Sequence, residues 1–244
     1  MKKTGFFFLV MGLMTSFKCE DIIKFNDNER LLFQGIIVDV AGEPLGNIPV
    51  EVRATRSYFN PYFPNYLDLP EGELSGEGVS DSDGNFNIIS LASVNAEMYV
   101  VVNPSYSKDF QQNRTSFIVS GIDYRNDIEN QGFRLTEEVV LDRKSNFRTR
   151  ILRVTDNTDT LNYSIRFSPL VPIKNLQVKD TLAVEFDPNT IVGRMLPNES
   201  QTILDIVMRE NDSILFSYSL SGEGIQRDST IAINAQNRSF DFEF

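Results

Sequence analysis

This chain is expected to fold as two antiparallel β-sandwiches with little helix, and three observations carry that expectation. Apolar residues alternate in short runs or fill runs of five or six outright, and no segment sustains a 3.6-residue period over a helix length. Clusters of Gly, Pro, Asn and Asp punctuate those runs at short intervals. The 244 residues suffice for two small domains, each able to bury its own core.

The N-terminus stands apart from that pattern. Lys2 and Lys3 precede an apolar run from Phe6 to Met14, which gives way to Thr15 and Ser16. A basic start and an apolar run too short to cross a bilayer read as a secretory leader, residues 1–19. Cys19 is the sole cysteine, so no disulfide can form within the chain. Thr15-Ser16-Phe17-Lys18-Cys19 resembles a lipobox, with Ser16 and Lys18 where that motif usually has Leu and a small residue. The resemblance implies a bacterial lipoprotein of the outer membrane, cut before Cys19 and acylated on its thiol. Residues 20–32 are mostly polar and are expected to be a tether. Glu20-Asp21 is similar to short acidic signals for surface display. Both faces of the outer membrane stay open.

Residues 33–143 are expected to form the first sandwich. Gln34 to Val40 is β-branched and stops at the turn Ala41-Gly42-Glu43-Pro44; Ile48 to Arg53 then alternates as a half-buried strand. Pro49 lacks a donor, which places it at an edge or a strand start. Gly76 to Ser80 and Phe86 to Ile89 flank Asp81-Ser82-Asp83-Gly84-Asn85 and read as a hairpin, Gly84 supplying a positive φ. Met98 to Val102 is continuous and apolar, as a central strand would be, and Phe133 to Leu141 closes the unit. Ile36, Val38, Val40, Val50, Val52, Phe86, Ile88, Tyr99 and Val101 are expected to share one core. A turn of helix is allowed between Ile122 and Gln131.

The run from Gly35 to Val52 resembles the opening hairpin of a carboxypeptidase regulatory-like domain, a prealbumin-like (transthyretin-like) β-sandwich. Val79 to Ile88 is similar to that family's second signature, an acidic Gly turn followed by an aromatic. Tyr99 and the valines after it resemble its next core strand. The resemblance covers roughly Phe33 to Leu141 and implies an accessory folding or binding unit.

The basic stretch Arg143 to Arg150 marks the boundary, and residues 144–244 are expected to form a second sandwich of no recognised family. Its strands are read at Ile151–Val154, Leu161–Phe167, Thr181–Phe186, Ile203–Val207, Ile214–Leu220 and Thr230–Ile233, with Phe240 to Phe244 as the last strand.

Composition then limits the chemistry. With 23 Lys and Arg against 34 Asp and Glu, the net charge of −11 repels nucleic acid and anionic headgroups, so membrane attachment falls to the lipid on Cys19. The chain has no His, hence no histidine triad or HExxH zinc site, and no Trp for stacking on sugars. No GxSxG nucleophile motif occurs. No catalytic residue, cofactor or metal is expected. The function expected is a non-catalytic envelope module for adhesion, glycan capture or assembly with an outer-membrane partner. The alternative is a carboxylate-dependent, glycosidase-like hydrolase drawing on Glu71, Glu73 and Glu77.

Three local features are candidate sites. Tyr58, Phe59, Tyr62, Phe63 and Tyr66 crowd a segment stiffened by Pro61 and Pro64, a composition suited to ligand binding or to packing over the sandwich. Asp81, Asp83 and Asn85 are spaced like the start of a calcium loop, but no bidentate acid follows, and a plain tight turn selects the same residues. Asp159-Thr160-Leu161, Asp180-Thr181-Leu182, Asp212-Ser213-Ile214 and Asp228-Ser229-Thr230 resemble an O-glycosylation sequon of exported proteins; Asp with Ser or Thr also populates ordinary turns.

Overall fold

The computed structural model describes residues 22–56, 72–122, 132–154, 158–176, 189–222 and 225–244. Every regular element among them is a β-strand, and the strands form four sheets around two main cores. The chain is all-β.

The first sandwich packs a four-stranded sheet on a five-stranded one. The smaller sheet is built on β1 (Phe25–Val38), which pairs antiparallel with β4 (Asn85–Ser93) and parallel with two short strands, β7 (Gly132–Arg134) and β8 (Val139–Val140). The larger runs in the order β11 (Ile173–Asn175), β6 (Phe117–Ile122), β5 (Glu97–Val102), β2 (Pro49–Thr55), β3 (Glu73–Val79). Between them lie Leu31, Phe33, Ile37, Val50, Val52, Phe86, Ile88, Val100 and Val102, all at most 1 % exposed. Pro49 begins its strand, where a missing donor costs least.

Several expectations need correction here. The segment assigned to a tether is strand from Phe25 onward, and Leu31 is fully buried on its core face, while Leu32 beside it stays 36 % exposed. The inward set of β1 is Leu31, Phe33 and Ile37, so Ile36 faces outward and Val40 is 53 % exposed beyond the strand end. A one-residue change of parity exchanges the two faces of a strand. Here the inward position between Phe33 and Ile37 is Gly35, whose added Cβ would lie 2.6 Å from the Phe86 ring, so the core marker at that position is missing. Tyr99 and Val101 are buried, but on the other face of the five-stranded sheet, in a small cluster with Ile118 and Ile173.

Neither expected hairpin is one. β1 and β2 belong to opposite sheets, as do β3 and β4, so both connections are arches that cross the sandwich. The first is tied by Leu45 N–H donating to the Ile37 carbonyl at 2.9 Å, the second by Asp81 N–H to the Asn85 carbonyl at 2.8 Å. Gly84 sits at φ +76°, and its carbonyl accepts from Ile37 N–H at 2.8 Å, which stitches the two arches together. A side chain there would meet the Ile37 carbonyl as well as the left-handed φ penalty.

The second sandwich sets the sheet β12 (Asn189–Met195), β10 (Leu161–Phe167), β14 (Ser213–Leu220), β15 (Gln226–Ala232) against β13 (Gln201–Arg209), β9 (Lys144–Leu152), β16 (Ser239–Glu243). The basic stretch read as a boundary is β9 itself. Phe147 and Ile151 point into the core, fully buried, while Arg148 pairs outward with Asp205 at 2.7 Å and Arg150 with Asp241. The final strand β16 runs parallel to β9 and stacks its phenylalanines on the core, the Phe242 ring 4.9 Å from Phe216 and 4.5 Å from Tyr218.

The two units are not sequential. After β10 the chain leaves the second sandwich, and β11 joins the edge of the first beside β6, in parallel. Ile118 N–H donates to the Pro172 carbonyl at 3.0 Å, and Leu176 N–H to the Ser120 carbonyl at 3.0 Å. Ile173, 3 % exposed, covers Val101 and Ile118 on that outer face. The range 144–244 expected for the second sandwich therefore includes a strand of the first. Thr181 to Phe186 and the Ile122–Gln131 helical reading fall mostly or wholly outside the described residues.

Candidate functional site

The aromatic residues Tyr58, Phe59, Tyr62, Phe63 and Tyr66 lie outside the described residues, as do Cys19 and Glu71. The strand from which that segment departs, and Gly72 where the description resumes, share a polar cluster on the outer face of the five-stranded sheet. Glu51 is 8 % exposed; one of its oxygens accepts from Arg53 Nε at 2.6 Å and from the Tyr106 hydroxyl at 2.9 Å. Arg53 also donates to the Gly72 carbonyl at 2.7 Å and lies over the Tyr106 ring at 4.9 Å. Tyr106 reaches this position because the loop after β5 folds around buried Asn103, whose side chain bonds the backbone of Gln111 and Thr115. This cluster joins carboxylate, guanidinium and phenol in one network.

Burial pushes the Tyr99 phenol up to about 12, with Arg53 opposing and Glu51 assisting. An unfolded phenol titrates near 10, so this group costs nothing below pH 10. Between pH 10 and 12 the unfolded chain releases a proton that the fold retains, and stability falls by up to about 1.4 kcal/mol per pH unit. Denaturant melts across that window should show the fall, and Tyr99→Phe should reduce its slope. An unchanged slope would remove Tyr99 as its source.

The remaining sequence candidates resolve locally. Glu73 and Glu77 are exposed on the edge strand β3. A register irregularity between them leaves their partners, Ala54 and Glu51, three residues apart, a separation of roughly 10 Å, wider than the about 5–5.5 Å of a retaining glycosidase pair. The Asp81 carboxylate closes its own turn, accepting the N–H groups of Asp83 and Asn85, each at 2.9 Å. Of the sequon-like triplets, Asp159-Thr160-Leu161, Asp212-Ser213-Ile214 and Asp228-Ser229-Thr230 are described, and their hydroxyl residues are exposed or half-exposed. In two of them the Asp also serves the fold: Asp212 accepts from Ser168 N–H at 3.1 Å, and Asp159 from the Ser221 hydroxyl at 3.1 Å. Asp180-Thr181-Leu182 lies outside the described residues.

One concavity among the described residues was not foreseen. A groove of about 490 Å³ runs across the outer face of β4, β1 and β7. The register places Asn87, Gln34 and Arg134 in one row across the three strands. Gln34 Nε2 donates to Asn87 Oδ1 at 2.6 Å, which fixes both amides on the groove floor. Half-buried Ile36 adds an apolar patch beside them. The Asp81 turn bounds one end, and the segment from Leu135 to Glu138 forms a wall. Glu137 is paired with Lys174 at 2.5 Å, whereas Arg134 and Glu138 have no ionic partner among the described residues. Elsewhere, burial raises the carboxyl of Asp142, which takes the Arg143 N–H at 2.7 Å. That acid lies outside the groove. Sequence reasoning missed the groove because its three polar residues come from strands far apart in the chain; each alone reads as an outward, solvated position.

No protein-family profile matches the chain, and no characterised protein matches it in sequence. Among solved structures, it is similar to a streptococcal ancillary pilin at 9 % identity and TM-score 0.31, over 89 % of this chain and 63 % of that one. It is similar to a 3-chlorocatechol 1,2-dioxygenase from Rhodococcus opacus at 15 % identity and TM-score 0.30, over 49 % of this chain and 63 % of that one. The tip fimbrial protein Mfa3 from Porphyromonas gingivalis gives 12 % identity and TM-score 0.28, over 83 % and 81 %. The chain thus spans less than two thirds of the length of the first two. With scores this low, the fold description rests on the sheets themselves.

Proposed function

We propose that the chain is a non-catalytic interaction module of the cell envelope, held at the outer membrane by a lipid on Cys19. Its partner is a glycan or an outer-membrane protein, and the module serves adhesion, capture or assembly. The observation that carries the reading is the groove across β4, β1 and β7. Its floor carries two amides held by their mutual bond, with the exposed Arg134 guanidinium beside them, a set suited to holding a ligand. Of its acids, Asp81 is committed to its turn and Glu137 to Lys174, which leaves Glu138 without a second carboxylate to share acid and base roles. The two signature runs, each forming an arch at the same end of the first sandwich, support a prealbumin-like unit there. The basic, then apolar leader ending at Cys19 supports the anchor.

Radiolabelled fatty acid supplied to cells should enter the wild-type protein, which should fractionate with the outer membrane. Cys19→Ser should lose both the label and the membrane association. A variant that keeps the label would refute the anchor. A pull-down from envelope extract on the full chain then identifies the partner class.

A further inference from the structure

Resting on the binding-module reading, we infer that the groove over β4, β1 and β7 takes a neutral, hydroxyl-rich ligand, a saccharide of about two rings, with Gln34, Asn87 and Arg134 as its contact row. Neighbouring strands lie about 4.8 Å apart, so the row spans about 10 Å. That is the scale of a disaccharide. The bond from Gln34 to Asn87 leaves the Gln34 carbonyl free to accept and the Asn87 amine free to donate. Arg134 adds a planar fork of donors that no described residue engages. Adjacent hydroxyls, each both donor and acceptor, match such planar groups two at a time.

Charge narrows the class further. An anionic ligand meets Asp81 and Glu138 at the rim and the −11 of the whole chain. A cation meets the unpaired Arg134 guanidinium on the floor. A neutral ligand avoids both costs. Ile36 offers an apolar patch to the C–H face of a ring, and a volume of about 490 Å³ lies within the usual span of small-ligand sites. The groove floor sits on hydrogen-bonded strands, so Gln34 and Asn87 are held before a ligand arrives, which limits the ordering cost of binding.

The test is an NMR titration of the isotope-labelled full chain with cellotriose, laminaritriose, maltotriose and mannotriose, with oligogalacturonate and chitosan oligomers as charged counterparts. The side-chain amides of Gln34 and Asn87 and the backbone amides from Arg134 to Glu138 should shift with at least one neutral sugar and with neither charged one. Arg134→Ala and Gln34→Ala should each weaken that binding about tenfold, the loss expected for one good hydrogen-bonding group, with the melting temperature unchanged. Shifts confined to another surface, a stronger response to a charged oligomer, or no response to the whole panel would each overturn the proposal. If Arg134→Ala and Gln34→Ala bind the sugar as tightly as the wild type, while the wild type retains an envelope partner in a pull-down, the saccharide groove fails and the module reading stands. If the wild type binds neither a sugar nor an envelope partner, both fail.

Discussion

Replacing Ile173 with Asp should separate the unfolding of the chain into two transitions. Ile173 is 3 % exposed and packs on Tyr99, Val101 and Ile118, on the outer face of the five-stranded sheet. A carboxylate there would be buried among apolar side chains, so β11 should detach rather than pay its desolvation. The first sandwich would lose its edge strand and the cover over Val101, a loss of about 2–5 kcal/mol on the scale of removing a buried Ile. The second sandwich takes no core residue from β11, so its own core should survive. Calorimetry should then show an early transition for the first unit and a later one for the second. Ile173→Val, which keeps the packing, should cost only about 0.5–1.5 kcal/mol and preserve a single transition. One transition in the Asp variant at the wild-type temperature would show that β11 does not hold the first sandwich.

The second large effect is expected at Glu51. Glu51→Ala should destabilise the chain by about 1–2 kcal/mol, because the Arg53 guanidinium and the half-exposed Tyr106 both lose their acceptor. The figure is set below that of a fully buried pair because the Arg53 side chain keeps 20 % of its exposure. Glu51→Gln retains an acceptor oxygen and should recover about half of the loss. Burial raises the Tyr106 phenol most, and the bond to Glu51 with its negative charge adds to that. Removing the carboxylate should therefore move the Tyr106 titration downward in an ultraviolet pH scan. A stability loss without that movement would mean the effect is packing alone.

Strand existence was the legible part of this fold. Met98 to Val102 reads as a doubly buried strand because it is apolar at every position, and β5 is covered on both faces. Leu161 to Phe167 alternates without interruption and forms β10 at those bounds. Sheet membership was not legible. A Gly-Asp turn tells the chain to reverse, but the same turn serves a hairpin within one sheet and an arch between two; the difference is made by partners that arrive later, β4 for β1 and β5 for β2. β6 escaped notice because Ser120 and Gly121 interrupt its apolar run. β11 has three residues, too few for any period, and its strand state comes from the β6 edge it meets. The groove shares that difficulty. Gln34, Asn87 and Arg134 carry no motif, and only the pairing of β1 with β4 and β7 aligns them.

The central claim is that this chain holds an envelope ligand without transforming it. The direct measurement is mass analysis of envelope material before and after prolonged contact with the immobilised full chain. The account predicts material retained reversibly and recovered at its original mass. Fragments of lower mass that accumulate with time, and cease to form in Glu138→Gln, would contradict it and establish the hydrolase instead.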